Sequence, residues 1–316
     1  MAGNVFTGAT SDAGSGQLSN QVLTAFQRVA FFALRDAVIF DQFAKVKPGN
    51  LTSPGNPVNF LFWNDLSVAT TALSETVDVD AVGLSDSSVT VTPAEYGNAI
   101  VKTIRIRTDD YLIGFDGDVA NILAFNLVET IDRLARNAID GGTNEDWVGQ
   151  ASEAAITASD TMTAAEMRQK HAELVAGSAI PWNGLWYIGI MHPHVSYDLK
   201  SETGEGRWVG PHQYVDTQAI YTNEVGTFAG FKVVESNRAL LNADGGSGTV
   251  DTYTNYFFGK EFLAKAESIA PHMVAGPVTD KLMRFQPIGW HMYVGWDTLR
   301  EAALRRLLSA SSIGAN

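Results

Sequence analysis

The stretch Gly117–Gly142, GDVANILAFNLVETIDRLARNAIDGG, constrains this chain more than any other. Ala120, Leu123, Ala124, Leu127, Ile131, Leu134, Ala135 and Ala138 recur at steps of three and four, which is the stripe of an amphipathic helix. Val119, Ile122, Phe125 and Val128 widen that stripe beyond what a surface helix carries. Asp116 and Asp118 stand where the helix dipole favours anions, and Gly141-Gly142 offers a left-handed stop. Glu129 with Arg133, and Asp132 with Arg136, are acid-before-base pairs at i,i+4. A long helix with so broad an apolar face is expected to lie under a sheet and brace something larger.

Composition limits what that could be. At 316 residues and 45% hydrophobic content the chain can bury a substantial core in one large or two ordinary domains. No run of 18 apolar residues occurs, and the N-terminus lacks the basic and apolar regions of a secretory signal. The absence of cysteine excludes disulfides, thiolate metal sites and cysteine nucleophiles, and agrees with a reducing compartment. The formal charge is −13, and basic residues cluster only at Arg105/Arg107 and at Arg300, Arg305 and Arg306. A chain that grips nucleic acid needs a basic face, so specific nucleic-acid binding is not expected. An acidic surface can still face packed DNA without adhering to it.

Residues 1–18 are rich in Gly, Ser, Thr, Asn and Ala and read as a flexible arm. Ser19-Asn20 can cap an apolar helix over Gln21–Phe43, whose partner surface is either its own domain or a neighbouring subunit. From Lys47 to about Thr108 no helical period appears. Strands are expected over Pro57–Trp63, Thr76–Asp80, Ser88–Thr92 and Ala99–Arg107. This is a projecting hairpin whose tip its own core does not cover. Between Asn50 and Val101 there is no Lys or Arg, whereas Asp65, Glu75, Asp78, Asp80, Asp86 and Glu95 are present. After a loop over Thr143–Thr161, Thr163 caps a helix to about Val175, with Glu166 completing a capping box. Leu185–Met191 reads as a buried strand, Pro193 opens a helix over Val195–Lys200, and Gly226–Ser236 reads as a hairpin. Asn242–Ser247 is turn-rich. Tyr256–Ala264 reads as one strand across Gly259, and Leu282–Phe285 with Ile288–Val294 as a strand pair around Pro287. Leu299–Leu308 has helical spacing.

No catalytic set assembles. His192-x-His194 could place two imidazoles on one strand face as a metal pair, with His212 the nearest third ligand, or could be a strand end followed by a helix start. Asp109-Asp110 and Asp78-x-Asp80 could hold a hard cation, or be helix-start and solvated-strand charge; the second reading is preferred. There is no His-Glu-x-x-His helix, no Gly-x-Ser-x-Gly elbow and no phosphate-binding glycine loop. The seven tryptophans read as core or interface anchors. Neither enzyme activity, nor a cofactor, nor a metal is expected.

The order of parts, with the stretches PAEYGNAIVKT (93–103), TIDRLARNAIDGG (130–142), IMHPHVSYDLK (190–200), EVGTFAGFKVVESNRA (224–239), NYFFGKEFLAKA (255–266) and FQPIGWHMYVGW (285–296), resembles the major capsid proteins of tailed bacteriophages, in particular the phage N4-type coat proteins. The resemblance implies an α+β, Hong Kong 97-type capsid fold. Residues 1–45 would be the N-arm, 46–108 the E-loop hairpin, 109–142 the P-domain with its spine helix, 143–267 the A-domain, and 268–316 the returning P-domain strands. By this likeness Ala302–Ser309 is a strand despite its helical spacing.

The same resemblance implies self-assembly as hexamers and pentamers into an icosahedral shell around double-stranded phage DNA. The subunit would then be a virion protein assembled in the host bacterial cytoplasm. Its partners would be itself, a scaffolding protein, a portal and non-specifically packaged DNA, with no membrane. The apolar arm and the bare hairpin nominate Phe26, Val29, Leu34, Phe40, Trp63, Val77, Val79, Val89 and Val91 as assembly-interface residues. Some relatives lock their shells by an isopeptide bond from an E-loop lysine; no lysine lies between Asn50 and Val101 here, so no cross-link is expected at the loop tip. The scaffolding prefix of some relatives is also missing, so a separate scaffolding protein, or trimming, is expected. The competing readings are an encapsulin-like compartment shell and a cytosolic α+β enzyme with an unrecognised site.

Overall fold

The spine stretch folds as a single helix in the computed structural model, which describes residues 39–46, 57–70, 72–73, 75–76, 78–103, 115–182, 184–202, 224–277, 282 and 284–313. In chain order the elements are β1 (Lys45–Val46), β2 (Val58–Trp63), β3 (Asp86–Val91), β4 (Ala94–Thr103), α1 (Phe115–Asp140), β5 (Glu145–Trp147), α2 (Ala164–Ala176), β6 (Tyr187–Met191), α3 (Pro193–Ser201), β7 (Glu224–Phe228), β8 (Phe231–Glu235), β9 (Leu241–Asn242), β10 (Thr252–Phe258), β11 (Leu263–Ala275), β12 (Phe285–Thr298) and β13 (Leu304–Ser309). The chain divides into two compact units. The larger holds Asp36–Tyr96, Val128–Ala270 and Met292–Asn316. The smaller includes Gly97–Leu127 and Pro271–His291.

The larger unit is built on a seven-stranded sheet, ordered β5-β13-β10-β6-β8-β7, with β9 on β10. Alternation along β10 sorts its side chains between two apolar layers. Tyr256 and Phe258 face a cluster holding Ile39, Phe40, Phe43, Ile188, Ile190, Leu304 and, from α1, Ala135 and Ile139. Tyr253 and Phe257 face the opposite cluster, with Met167 and Leu174 of α2 and Val195 and Leu199 of α3. The second half of α1 thus lies under a sheet, as its stripe requires. In the smaller unit Asn126 of α1 accepts hydrogen bonds from Trp290 Nε1 at 3.0 Å and Asn98 Nδ2 at 3.2 Å.

Three local expectations about α1 are corrected. Ile122 and Val128 are exposed, so the buried stripe is narrower than the apolar one: Val119, Leu123, Ile131, Ala135 and Ile139. Gly141 and Gly142 are not left-handed. At Gly142 a Cβ would instead meet Leu304 Cδ2 at 3.1 Å, so the leucine would have to give by a few tenths of an ångström. Asp132 does not pair with Arg136. It is buried, and its Oδ1 accepts the Ile39 and Phe40 amides at 3.0 and 2.6 Å. Arg136 turns to Asp140 at 3.6 Å and donates to the Arg238 carbonyl. Burial pushes the Asp132 carboxyl above its ordinary range, and the two amides pull the other way.

Asp132 is therefore the clamp that fixes residues 39–40 on α1. Asp132→Ala strands two buried donors at about 1–3 kcal/mol each, so a melting temperature lower by roughly 5–15 °C is expected. Asp132→Asn keeps the accepting oxygen and should cost much less. Equal losses in thermal melts of the two variants would contradict this role.

Several strand expectations also change. Thr76–Asp80 does not form a strand among its described residues, because Val79 has no core to bury against. Tyr256–Ala264 is two strands: at Gly259–Phe262 the chain leaves the seven-stranded sheet for a four-stranded one ordered β1-β11-β12-β4, with Glu261 at φ 63°. Both strands are buried at the break, which is why the apolar run looks unbroken. Pro287 does not divide a strand pair; β12 runs through it, and its carbonyl accepts from Gly276 N at 2.9 Å. Leu299–Leu308 is a 3-10 turn, Glu301–Ala303, followed by β13. β13 lies between β5 and β10 with both faces covered, so Leu304, Leu307 and Leu308 are all buried and imitate a helical period. β4 begins earlier than expected and is described to Thr103. Thr143–Thr161 carries the short β5 and a 3-10 turn, Glu153–Ala155, within its loop.

Other elements fall where expected. Thr163 Oγ1 accepts from Glu166 N to cap α2. The β7–β8 hairpin closes on Ala229 and Gly230, both with positive φ. A Cβ on Gly230 would lie 2.4 Å from His171 Nε2. The arm helix through residue 38, Val77, residues 104–110 and His212 lie outside the described residues.

Candidate assembly surface

β2 and β3 pair antiparallel from Val58↔Val91 to Trp63↔Asp86, and that register decides which side chains look inward. Val58, Phe60 and Val91 are buried and pack with Ala264, Ala266 and Leu299; Phe62 and Val89 lie half-buried against the same cluster. The other face presents Asn59/Thr90, Leu61/Ser88 and Trp63/Asp86. Thr90 Oγ1 donates to Asn59 Oδ1 at 2.7 Å, and Asn64 N to the Ser85 carbonyl at 3.0 Å, so polar rungs hold the ribbon together. Beyond them the connection between β2 and β3 is largely irregular.

That connection is apolar and bare. Leu61, Trp63, Leu66, Val68, Leu73, Val79, Val82 and Leu84 are each 56–84% exposed. Burying eight such side chains at about 1.5–3 kcal/mol each would release on the order of 10–20 kcal/mol. Ordering the loop opposes this at about 1–2 kcal/mol per residue. Contiguous exposed apolar surface of this kind marks an interaction site more often than ordinary solvent-facing surface. In the smaller unit, Val101, Ile122, Met273, Val274 and Leu282 are exposed as well.

The nominated interface residues divide. Trp63 and Val79 are on the bare surface. Phe40 and Val91 are 1% exposed and belong to their own subunit's core, which corrects their nomination. Phe40 stands edge-on to Tyr256 at 5.3 Å. Val89 faces inward opposite Phe60, so it supports the hairpin rather than presenting a contact. Phe26, Val29, Leu34 and Val77 lie outside the described residues. No sequence period marks Leu61, Leu66, Val68, Leu73, Val82 and Leu84. The available signal was the density of apolar residues in a cation-free loop.

The histidine pair is a helix cap. His192 Nδ1 accepts from His194 N at 3.2 Å, and His194 Nδ1 meets the Tyr253 hydroxyl at 3.0 Å. Among the described residues no group of three or more His, Asp or Glu is placed to hold a metal ion. Burial, with His194 adding to it, lowers the His192 pKa to about 4. The folded state thus keeps His192 neutral while the unfolded chain protonates it near pH 6.5. The cap's stability is present above that pH and is lost as pH falls towards 4. Partial solvent contact reduces the cost to about 1–2 kcal/mol. His192→Asn, which keeps a capping acceptor, should flatten this part of the melting-temperature profile between pH 6.5 and 4. A variant profile parallel to the parent's would contradict the assignment.

A family model described as phage capsid protein matches residues 135–303, over half of the chain. No curated protein matches the sequence. Among solved structures, the capsid of Ralstonia phage GP4 aligns at TM-score 0.72 and 12% identity, over 90% of this chain and 94% of that one. The capsid of Helicobacter pylori bacteriophage KHP30 aligns at 0.68 and 14% identity, over 98% and 100%. That of Cyanophage Pam1 aligns at 0.67 and 13% identity, over 92% and 98%. At such identities the likeness establishes the α+β capsid fold of the Hong Kong 97 type, and the sequence match over 135–303 establishes kinship. The chain belongs to the phage capsid protein family.

Proposed function

We propose that the β2–β3 hairpin and its loop are the element that joins copies of this subunit into hexamers and pentamers of an icosahedral shell around double-stranded DNA. The observation that carries this is the row of exposed apolar side chains from Leu61 to Leu84 on a subunit whose own core is already closed. In this reading 1–45 is the N-arm, 46–108 the E-loop, 109–142 and 268–316 the P-domain and 143–267 the A-domain. The −13 charge suits a wall that does not trap packaged DNA. A scaffolding protein and a portal complete the assembly, in the host cytoplasm. The role is structural, without catalysis, and membership of the phage N4-type branch is supported by the stretches quoted above.

Size exclusion and negative-stain microscopy of the expressed chain test the reading. Rings or closed shells are expected. A monomer that stays monomeric at high concentration, with or without co-expressed scaffolding protein, would overturn it. Boiled particles should run as a single monomer band on a denaturing gel, since no lysine lies between Asn50 and Val101.

A further inference from the structure

The hairpin loop is acidic as well as apolar. Among the described residues Asp65, Glu75, Asp78, Asp80 and Asp86 make no ion pair within their own chain. A chain of net charge −13 offers few places to receive them. One is in the larger unit, a cavity of about 370 Å³ lined by Gly177, Ser178, Ile180, Lys260, Arg300 and Ala303. Lys260 and Arg300 are both exposed. Arg300 lies 5.2 Å over the Phe62 ring, and Lys260 has no side-chain ion pair among the described residues. Glu261 beside them is already held by Lys45 at 2.8 Å. That hydrogen bond keeps the Glu261 carboxyl below its ordinary range, with the charges of Arg300 and Lys260 adding to it. Three cations thus surround one carboxylate. Glu301, also in the lining, directs its oxygens to Thr143 N at 3.2 and 3.3 Å.

Two other cavities do not fit. The one lined by Glu129, Asp132, Arg133, Arg136 and Arg238 pairs its arginines internally, with Glu129 3.8 Å from Arg133 and 3.6 Å from Arg238. The one in the smaller unit, at Gly97, Val274 and Pro287, is apolar-lined and carries no lysine or arginine.

We propose that the Lys260/Arg300 cavity receives the Asp78 and Asp80 carboxylates from the hairpin loop of a second copy of this chain. The proposal rests on the hairpin being the assembly element and names its receptor. A loop on one copy entering a cavity on the next is a head-to-tail contact, the kind that closes into rings. Because the loop has no cation to compete, the pairing is directional: loops repel loops and seek the cavity. Both ends are near the surface, so salt weakens the contact.

The test uses three full-length variants: Lys260→Glu, Asp78→Lys/Asp80→Lys, and all three changes together. Melting temperature of the dispersed subunit checks the fold: the exposed Asp78 and Asp80 changes should leave it unaltered, and Lys260→Glu, which sets a second carboxylate beside Glu261, should lower it by no more than a few degrees with the melt still cooperative. Assembled fraction is read by velocity sedimentation and negative stain at low and high salt. Each charge reversal alone should lower assembly by roughly tenfold or more, and the combination should restore it. Parental assembly should weaken above roughly 0.5 M salt. Lys260→Glu assembling as the parent does, or a combined variant that is not rescued, would overturn the receptor assignment while leaving the hairpin reading intact. A parent chain that never assembles overturns both.

Discussion

Ile139→Asp should leave no soluble folded subunit. Ile139 is fully buried in the cluster that joins α1 to Phe40, Phe43, Tyr256 and Phe258. Truncation to alanine there costs about 2–5 kcal/mol through lost contacts and the cavity left behind. An aspartate adds the penalty of an unpaired buried charge, several kcal/mol more. It would stand next to Asp140, whose carboxyl burial already pushes upward although the Tyr256 hydroxyl donates to it at 2.7 Å. Against a total stability of about 5–15 kcal/mol, the sum exceeds what the fold can lose. Ile131→Asp is expected to act in the same direction. Circular dichroism and limited proteolysis of Ile139→Asp decide the matter; a cooperative melt within a few degrees of the parent's would place α1 outside the core.

Trp63→Asp should do the reverse, sparing the subunit and abolishing particles. Trp63 is 74% exposed, and its backbone is held by the Asp86 rung rather than by its ring. Surface changes of this kind shift stability by about 0.5 kcal/mol or less. A large aromatic at the centre of an interface contributes about 2–4 kcal/mol or more to association, and a closed shell repeats that loss at every copy. The expected outcome is a parental melting temperature with only small species in sedimentation. Shells of normal yield would remove Trp63 from the interface.

How much of this could be read from residues alone follows from which signals are local. The α1 stripe was legible because its period of 3.6 and its burial have the same cause. Asp132 misleads because an Arg four residues on is its obvious partner in sequence, while its real partners are amides 92 and 93 residues away. β13 read as a helix by spacing and as a strand by family likeness, and only the second survived. A strand covered on both faces loses the alternation that would identify it. In the hairpin, alternation groups Val89 with Val91, but it does not say which face meets the core. The register Val58↔Val91 turned both inward and left Trp63 and Leu61 outside. The exposed loop residues carried no period at all, because nothing in their own subunit packs against them.

On the proposed reading, a self-sufficient core carries a hairpin whose burial comes from another copy. Hydrogen exchange on dispersed subunits and on assembled particles tests it most directly. In dispersed subunits β10 and residues 128–140 of α1 should exchange slowly, while residues 61–86 exchange fast. In particles residues 61–86 should become protected by two orders of magnitude or more, at about 1.4 kcal/mol per tenfold, with the core unchanged. Loop amides already protected in the dispersed subunit, or equally fast in particles, would contradict the account.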